Sequence, residues 1–269
     1  MATLMPGEPA WLDDRVADRH IHGEGTPEHA WRNCAELAAL ETATLSRLAP
    51  AQGRVVVVAP HPDDEVLGCG GALAMLSRAG HEIVVVGVTD GEAGYPGSAT
   101  WTPELLGRRR RAERAQGLAR LGVPALACSL GVSDGDVTRQ EAVLAARLRD
   151  LVRVDDTLLA TWRLDGHPDH EAAGRAAAAV AASVGCRLWE FPVWMWHWAE
   201  AGDARVPWSR MRRLALDADA RERKARAIAA HVSQVTALPS EGRAPVLADW
   251  ALARLIRPFE VFIGAETPQ

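Results

Sequence analysis

The chain is predicted to fold as an α/β domain whose mostly parallel sheet carries helices on both faces. Three observations point there. Short apolar runs rich in Val and Leu, Arg54–Ala59, His81–Val88 and Thr157–Thr161, alternate with longer stretches of helical character. These runs are apolar throughout rather than every second residue, as strands buried on both faces are. Two of them end in clusters of His and Asp, where open α/β sheets place their ligands.

Taken in order, residues 1–26 are rich in Pro, Gly, Asp and His and read as an irregular arm. Pro27 to Leu48 reads as one helix, with Thr26 as N-cap and Pro27 at the first helical position. The expected organisation is an N-terminal arm and helix over residues 1–50, packed on a domain spanning 51–269. Within that domain a strand at 54–59 leads to a helix near 66–79, then to a strand at 81–88. Helices are expected at 103–121, 139–152 and 168–184, separated by strands at 125–130 and 157–161. A strand at 187–191 follows. The last third is less regular, with a short strand at 213–217, a helix at 218–231 and a final strand at 259–263. Trp194, Trp196 and Trp198 alternate as on one strand face, and with Trp189 they read as core or subunit contact.

Composition narrows the function. At 269 residues, 48% hydrophobic and with a formal net charge of −5, the chain can bury a large core but offers no basic surface for nucleic acid. No stretch approaches the roughly 20 apolar residues of a membrane span, and the N-terminus shows no secretory pattern. A soluble cytoplasmic protein is therefore expected. Cys34, Cys69, Cys128 and Cys186 are too scattered for a disulfide framework or a thiolate zinc site.

The chemistry concentrates in His61-Pro62-Asp63-Asp64-Glu65, followed by Gly68, Gly70 and Gly71 at a strand-to-helix junction. His61 and Asp64 offer ordinary zinc donors. Asp63 and Glu65 supply further carboxylates, one of which could serve as a base for a bound water. Alone, this segment fits a helix-capping turn equally well. The carboxylates and the missing Gly-x-Gly-x-x-Gly spacing argue against a dinucleotide site. A second cluster, His167-Pro168-Asp169-His170-Glu171, sits at another such junction. The two together read as one metal site split across the sequence.

With Thr89-Asp90-Gly91-Glu92, Arg110-Arg111-Ala112-Glu113 and Ala230-His231-Val232-Ser233-Gln234, these motifs resemble the PIG-L/LmbE-like family of zinc-dependent N-deacetylases over about residues 54–236. That resemblance implies a Rossmann-like sheet and hydrolysis of an N-acetyl amide on a small amino sugar or conjugate, with Zn²⁺ or another divalent ion as cofactor. It further implies His61, Asp64 and His170 as metal ligands and Asp63 as general base. His167 would be the electrophile or general acid, held by Asp169, and Arg110 would contact substrate. Asp165 stands where some relatives have a tyrosine, which leaves Tyr95, the chain's one tyrosine, as the candidate phenol. Arg108, Arg109 and Arg111 read as a solvated face. An amidase acting on another acyl or thiol conjugate, and a metal-containing sugar-binding protein without turnover, are the alternative readings. A homo-oligomer is compatible with either.

Overall fold

Four consecutive valines open a strand in the interior of the sheet, and their alternation explains how the layers assemble. In the computed structural model, which describes residues 19–51 and 53–264, Val55 and Val57 face one apolar core, while Val56 and Val58 face another on the opposite side. Residues 1–18 of the expected arm lie outside the described residues. The strands are β1 (Thr42–Ala43), β2 (Val55–Ala59), β3 (Ile83–Gly87), β4 (Leu126–Ser129), β5 (Thr157–Thr161), β6 (Arg187–Phe191), β7 (Met211–Ala215) and β8 (Phe259–Gly264). They form one sheet in the order β1-β7-β8-β6-β5-β2-β3-β4. Every pairing is parallel except those of β8, which runs antiparallel to β6 and β7.

The helices are α1 (Glu28–Arg32), α2 (Ala35–Ala38), α3 (Leu45–Leu48), α4 (Asp64–Arg78), α5 (Pro103–Leu121), α6 (Glu141–Leu151), α7 (Pro168–Val184), α8 (Met195–Trp198), α9 (Ala218–Ile228), α10 (Val232–Val235) and α11 (Asp249–Ala253). Helices α4, α5 and α9 pack together on one face, and α6 packs with α7 on the other. Helix α5 follows sequence rules closely: the Thr102 hydroxyl accepts from the Leu105 N–H, Pro103 opens the helix, and Gly122 closes it in the left-handed region. No helix among the described residues is long and apolar enough to cross a membrane.

Four expectations need correction. Residues 27–48 do not form one helix. Asn33 ends α1, the Cys34 sulfur and the Thr44 hydroxyl each cap a new short helix, and β1 between them pairs with β7. Nor is Thr26 the N-cap; Pro27 holds that position without a side-chain cap. The Trp194–Trp198 segment is a short helix, not a strand, because Trp31 meets Trp196 edge-on and Trp198 stacks on Trp162. Finally, His231 does not end the 218–231 helix; α9 stops at Ile228 and His231 starts the next turn.

The connectivity creates the site. The chain runs outward through β2, β3 and β4, then returns to place β5 on the other side of β2, with Val58 opposite Ala160. The carboxyl ends of β2 and β5 therefore lie side by side at the point where the strand order reverses.

Candidate active site

Each of the two adjacent strand ends runs into a loop that begins a helix, β2 into α4 and β5 into α7. His170 thereby meets His61 and Asp64, which stand more than a hundred residues earlier in the chain. His61 Nδ1 lies 3.2 Å from His170 Nε2, and Asp64 Oδ2 lies 3.3 Å from both nitrogens. Three donors sharing one tetrahedral ion with bonds of about 2.0–2.1 Å should be about 3.3–3.4 Å apart, the edge of that tetrahedron. The triangle fits a zinc-sized ion, and all three residues are buried.

The tautomers fit as well. His170 Nδ1 lies 2.8 Å from Asp165 Oδ2, and His61 Nε2 lies 3.1 Å from Asp134 Oδ1. An imidazole that donates one N–H to a carboxylate presents the lone pair of its other nitrogen, which is the arrangement of a metal ligand. Asp165 is itself held rigidly: it accepts from the backbone N–H groups of Val193, Trp194 and Met195 at 2.9–3.0 Å. The Trp198 indole donates to its carbonyl at 2.8 Å. The next residue, Gly166, has φ +96°, and a Cβ there would meet Trp198 at 2.7 Å, so the turn requires glycine.

The sequence singles out neither Asp134 nor Asp165 as a site residue. Asp134 lies in Ser133-Asp134-Gly135-Asp136, which has the composition of an ordinary turn. Asp165 is notable there only as the replacement for a tyrosine. The signal that could find both is the need of each ligating histidine for an acceptor.

Electrostatics favour a cation at the triangle. Asp63, Asp64, Asp134, Asp165 and Asp169 are gathered around it, with Arg110 the permanent cation among the residues lining the adjoining cavity. Burial lowers the pKa of His61, but Asp134, with Asp169 and Asp64, overrides it and raises the pKa well above the usual value. Burial likewise opposes a raised His170, yet Asp64 and Asp165 lift it to about 9. Asp64 is held well below the carboxylate range by His170 and His61, against the effect of its burial. A divalent ion is the natural counter-charge for such a cluster.

The remaining expected residues fall around the triangle. Asp63 lines the cavity, and Arg110 Nη2 sits 3.2 and 3.3 Å from its two carboxylate oxygens. Arg110 also donates to the Gly91 carbonyl at 3.0 Å, so its charge is committed to Asp63 as well as facing the cavity. Its neighbours turn outward: Arg108 pairs with Glu104, Arg109 with Glu113 and Arg111 with Asp90. His167 lines the cavity too, and its Nδ1 accepts from the Asp169 backbone N–H at 3.1 Å. The Asp169 carboxylate instead accepts from the Gly135 and Val137 amides and approaches His61 Nε2 at 3.5 Å. Asp169 thus orients His167 through its main chain. Burial, with the charges of His61 and His170, brings the His167 pKa down to about 3, which keeps the ring neutral.

Tyr95 is placed differently from the sequence expectation. Its hydroxyl donates to the Ser233 carbonyl at 2.6 Å, and its neighbours Gly94 and Pro96, not Tyr95, line the cavity. The phenol fastens the loop after β3 to α10. The cavity itself is about 290 Å³, near the lower end of small-molecule sites (roughly 300–1,000 Å³). Its wall also includes the apolar residues Ile21, Pro96, Val193, Trp194 and Leu247.

The chain is similar to known proteins in sequence and in fold. The family profile "PIG-L: GlcNAc-PI de-N-acetylase" matches residues 56–181. A 1D-myo-inositol 2-acetamido-2-deoxy-alpha-D-glucopyranoside deacetylase of Mycolicibacterium gilvum is 30% identical over 171 residues, which is 53% of this chain and 58% of that protein. The diacetylchitobiose deacetylase of Thermococcus kodakarensis is 32% identical over 127 residues, covering 45% of this chain and 46% of its own. The chain thus spans about half the length of these relatives. Among solved structures, a conserved protein of Thermus thermophilus is 30% identical with a TM-score of 0.51, over 71% of this chain and 83% of that one.

Proposed function

The chain belongs to the PIG-L (GlcNAc-PI de-N-acetylase) family, and on that footing we propose that it hydrolyses the N-acetyl amide of a small amino sugar or amino-sugar conjugate, releasing acetate. The observation that carries this reading is the donor triangle of His61, Asp64 and His170, two of whose members, His61 and Asp64, line one cavity together with Asp63. These three residues would hold the metal, for which zinc suits the donors best; a His₂Asp set also accepts other divalent ions. When bound, such an ion supplies a Lewis acid that acidifies water and polarises a carbonyl.

The protein's own groups account for the proton transfers. Asp63 takes a proton from the attacking water as its oxygen bonds to the acetyl carbon. Arg110 keeps that carboxylate aimed into the cavity. Because His167 Nδ1 accepts the Asp169 N–H, its ring proton resides on Nε2, where it can donate to the carbonyl oxygen as that oxygen gains charge. Asp63 then returns its proton to the amine nitrogen, the C–N bond breaks, and acetate and free amine leave. The apolar wall would receive the sugar's less polar face or its substituent.

Acetate release from a panel of N-acetylglucosamine glycosides, with and without chelator, tests the proposal. Chelator-sensitive release supports it. Cleavage confined to amides bearing other acyl groups would favour the amidase reading, and binding without cleavage would favour the sugar-binding one.

A further inference from the structure

Helix α5 presents a second buried charge behind Asp63. Arg110 and Arg114, one turn apart, reach alternate residues at the start of α4. Arg110 pairs with Asp63, and Arg114 Nε lies 3.2 Å from Glu65 Oε1. Both guanidiniums lie against main chain at and just beyond the end of β3: a Cβ would approach Arg114 Nη1 to 1.8 Å at Gly87 and Arg110 Nη1 to 2.1 Å at Gly91. A turn further along the same face of α5, a Cβ at Gly117 would meet His231 Nε2 at 2.8 Å. His231 is 1% exposed. The charges acting on it are those of Asp63, Arg110, Glu113 and Arg114.

This corner is poorly satisfied by protein atoms alone. Among the described residues, seven buried side-chain polar atoms lack a hydrogen-bond partner. Five belong to this group: both His231 nitrogens, Arg110 Nε, Arg114 Nη2 and Glu65 Oε2. Scattered orphans would point nowhere, but a cluster holding both donors and acceptors is the setting in which folded proteins keep ordered water. A neutral imidazole offers one donor and one acceptor, and burial beside Arg110 and Arg114 holds His231 in that form.

We propose that His231 is a positioning residue for Asp63: buried water joins its ring to Arg110 Nε, Arg114 Nη2 and Glu65 Oε2, and this network fixes the two guanidiniums against Asp63 and Glu65. The inference rests on Asp63 being the base of the proposed reaction. It also gives the Ala230–Gln234 motif a purpose. The Ser233 N–H and hydroxyl bond Glu113 at 2.9 and 2.6 Å, which ties the turn carrying His231 to α5.

The test compares His231→Leu with His231→Gln in the metal-loaded protein. Loss of one charge-assisted hydrogen bond corresponds to about 10–100-fold. His231→Leu should therefore lose about that much kcat while metal content and KM stay unchanged, and His231→Gln, which keeps a donor and an acceptor, should recover most of it. Unchanged kcat in His231→Leu, or equal losses in both variants, overturns the proposal. A crystal structure of the wild-type protein supplies a readout that does not depend on turnover or on the variants folding. Water about 2.7–3.2 Å from a His231 nitrogen and from Arg110 Nε or Arg114 Nη2 is expected; a dry pocket refutes the network. If the wild-type protein fails to release acetate, the functional reading falls while the water result still stands on its own.

Discussion

Asp165→Asn removes one charge from a fully buried carboxylate without changing its shape, and the structure allows its cost to be worked out. Oδ1 accepts from the Val193 and Met195 amides, and Oδ2 accepts from the Trp194 amide and from His170 Nδ1. An asparagine has one oxygen. Whichever way its amide turns, two buried donors face an NH₂ group in place of an acceptor. Each unsatisfied buried donor costs about 1–3 kcal/mol, so the apo fold should lose about 2–6 kcal/mol. If the NH₂ faces His170, that ring relieves the clash by moving its proton to Nε2, the atom that should ligate. Apparent metal affinity should then fall about 10–100-fold, the usual consequence of losing the partner of a ligating histidine. Chelator-competition titration measures the affinity, and urea unfolding of the metal-free protein measures the stability. A variant with wild-type affinity and an unchanged midpoint would show that Asp165 does not set the His170 tautomer.

Asp63→Asn should retain its metal, by elemental analysis, while turnover falls about 10²–10⁴-fold, as for loss of a general base; near-normal turnover would remove that role. Tyr95→Phe should leave kcat within the error of the assay and cost about 1 kcal/mol of stability, because the hydroxyl is bonded to the Ser233 carbonyl outside the cavity lining. A large kcat loss there would return the phenol to the reaction. In the metal-free protein, burial opposes but Asp64 and Asp165 raise the His170 pKa to about 9, above about 6.5 for an unfolded chain. The stability contributed by that charge is therefore fully present below about pH 6.5 and is lost as pH rises through about 9. A divalent ion must displace the same proton, so its apparent affinity should climb about tenfold per pH unit per proton released over this window. Titrations at pH 6.5 and 8.5 that gave equal affinity would contradict this.

Contiguity decides what can be read from the sequence. The valine run and the His61–Glu65 segment are local, so the strand, the helix start and the candidate donors follow from neighbouring residues. The order of strands is not local, and only the return of β5 beside β2 brings His170 to His61. Asp134 escapes notice because a lone aspartate beside glycine has the signature of any turn, and its partner is 73 residues away. The 27–48 segment has helical composition, but Cys34 and Thr44 cap new turns, and pairing with β7 draws the chain between them into the sheet. The tryptophan segment alternates in sequence like a strand, yet burial against Trp31 and Trp162 winds it into a helix. In each case tertiary packing overrides a local preference.

Chelator-stripped protein, titrated with Zn²⁺ while acetate release from an N-acetylglucosamine glycoside is followed, is the most direct test of a deacetylase built on His61, Asp64 and His170. The expected result is silence when stripped and activity that rises to a plateau at one ion per chain. His170→Ala should remain inactive and poor in metal throughout. Acetate release by the stripped protein, or full activity in His170→Ala, would contradict the assignment.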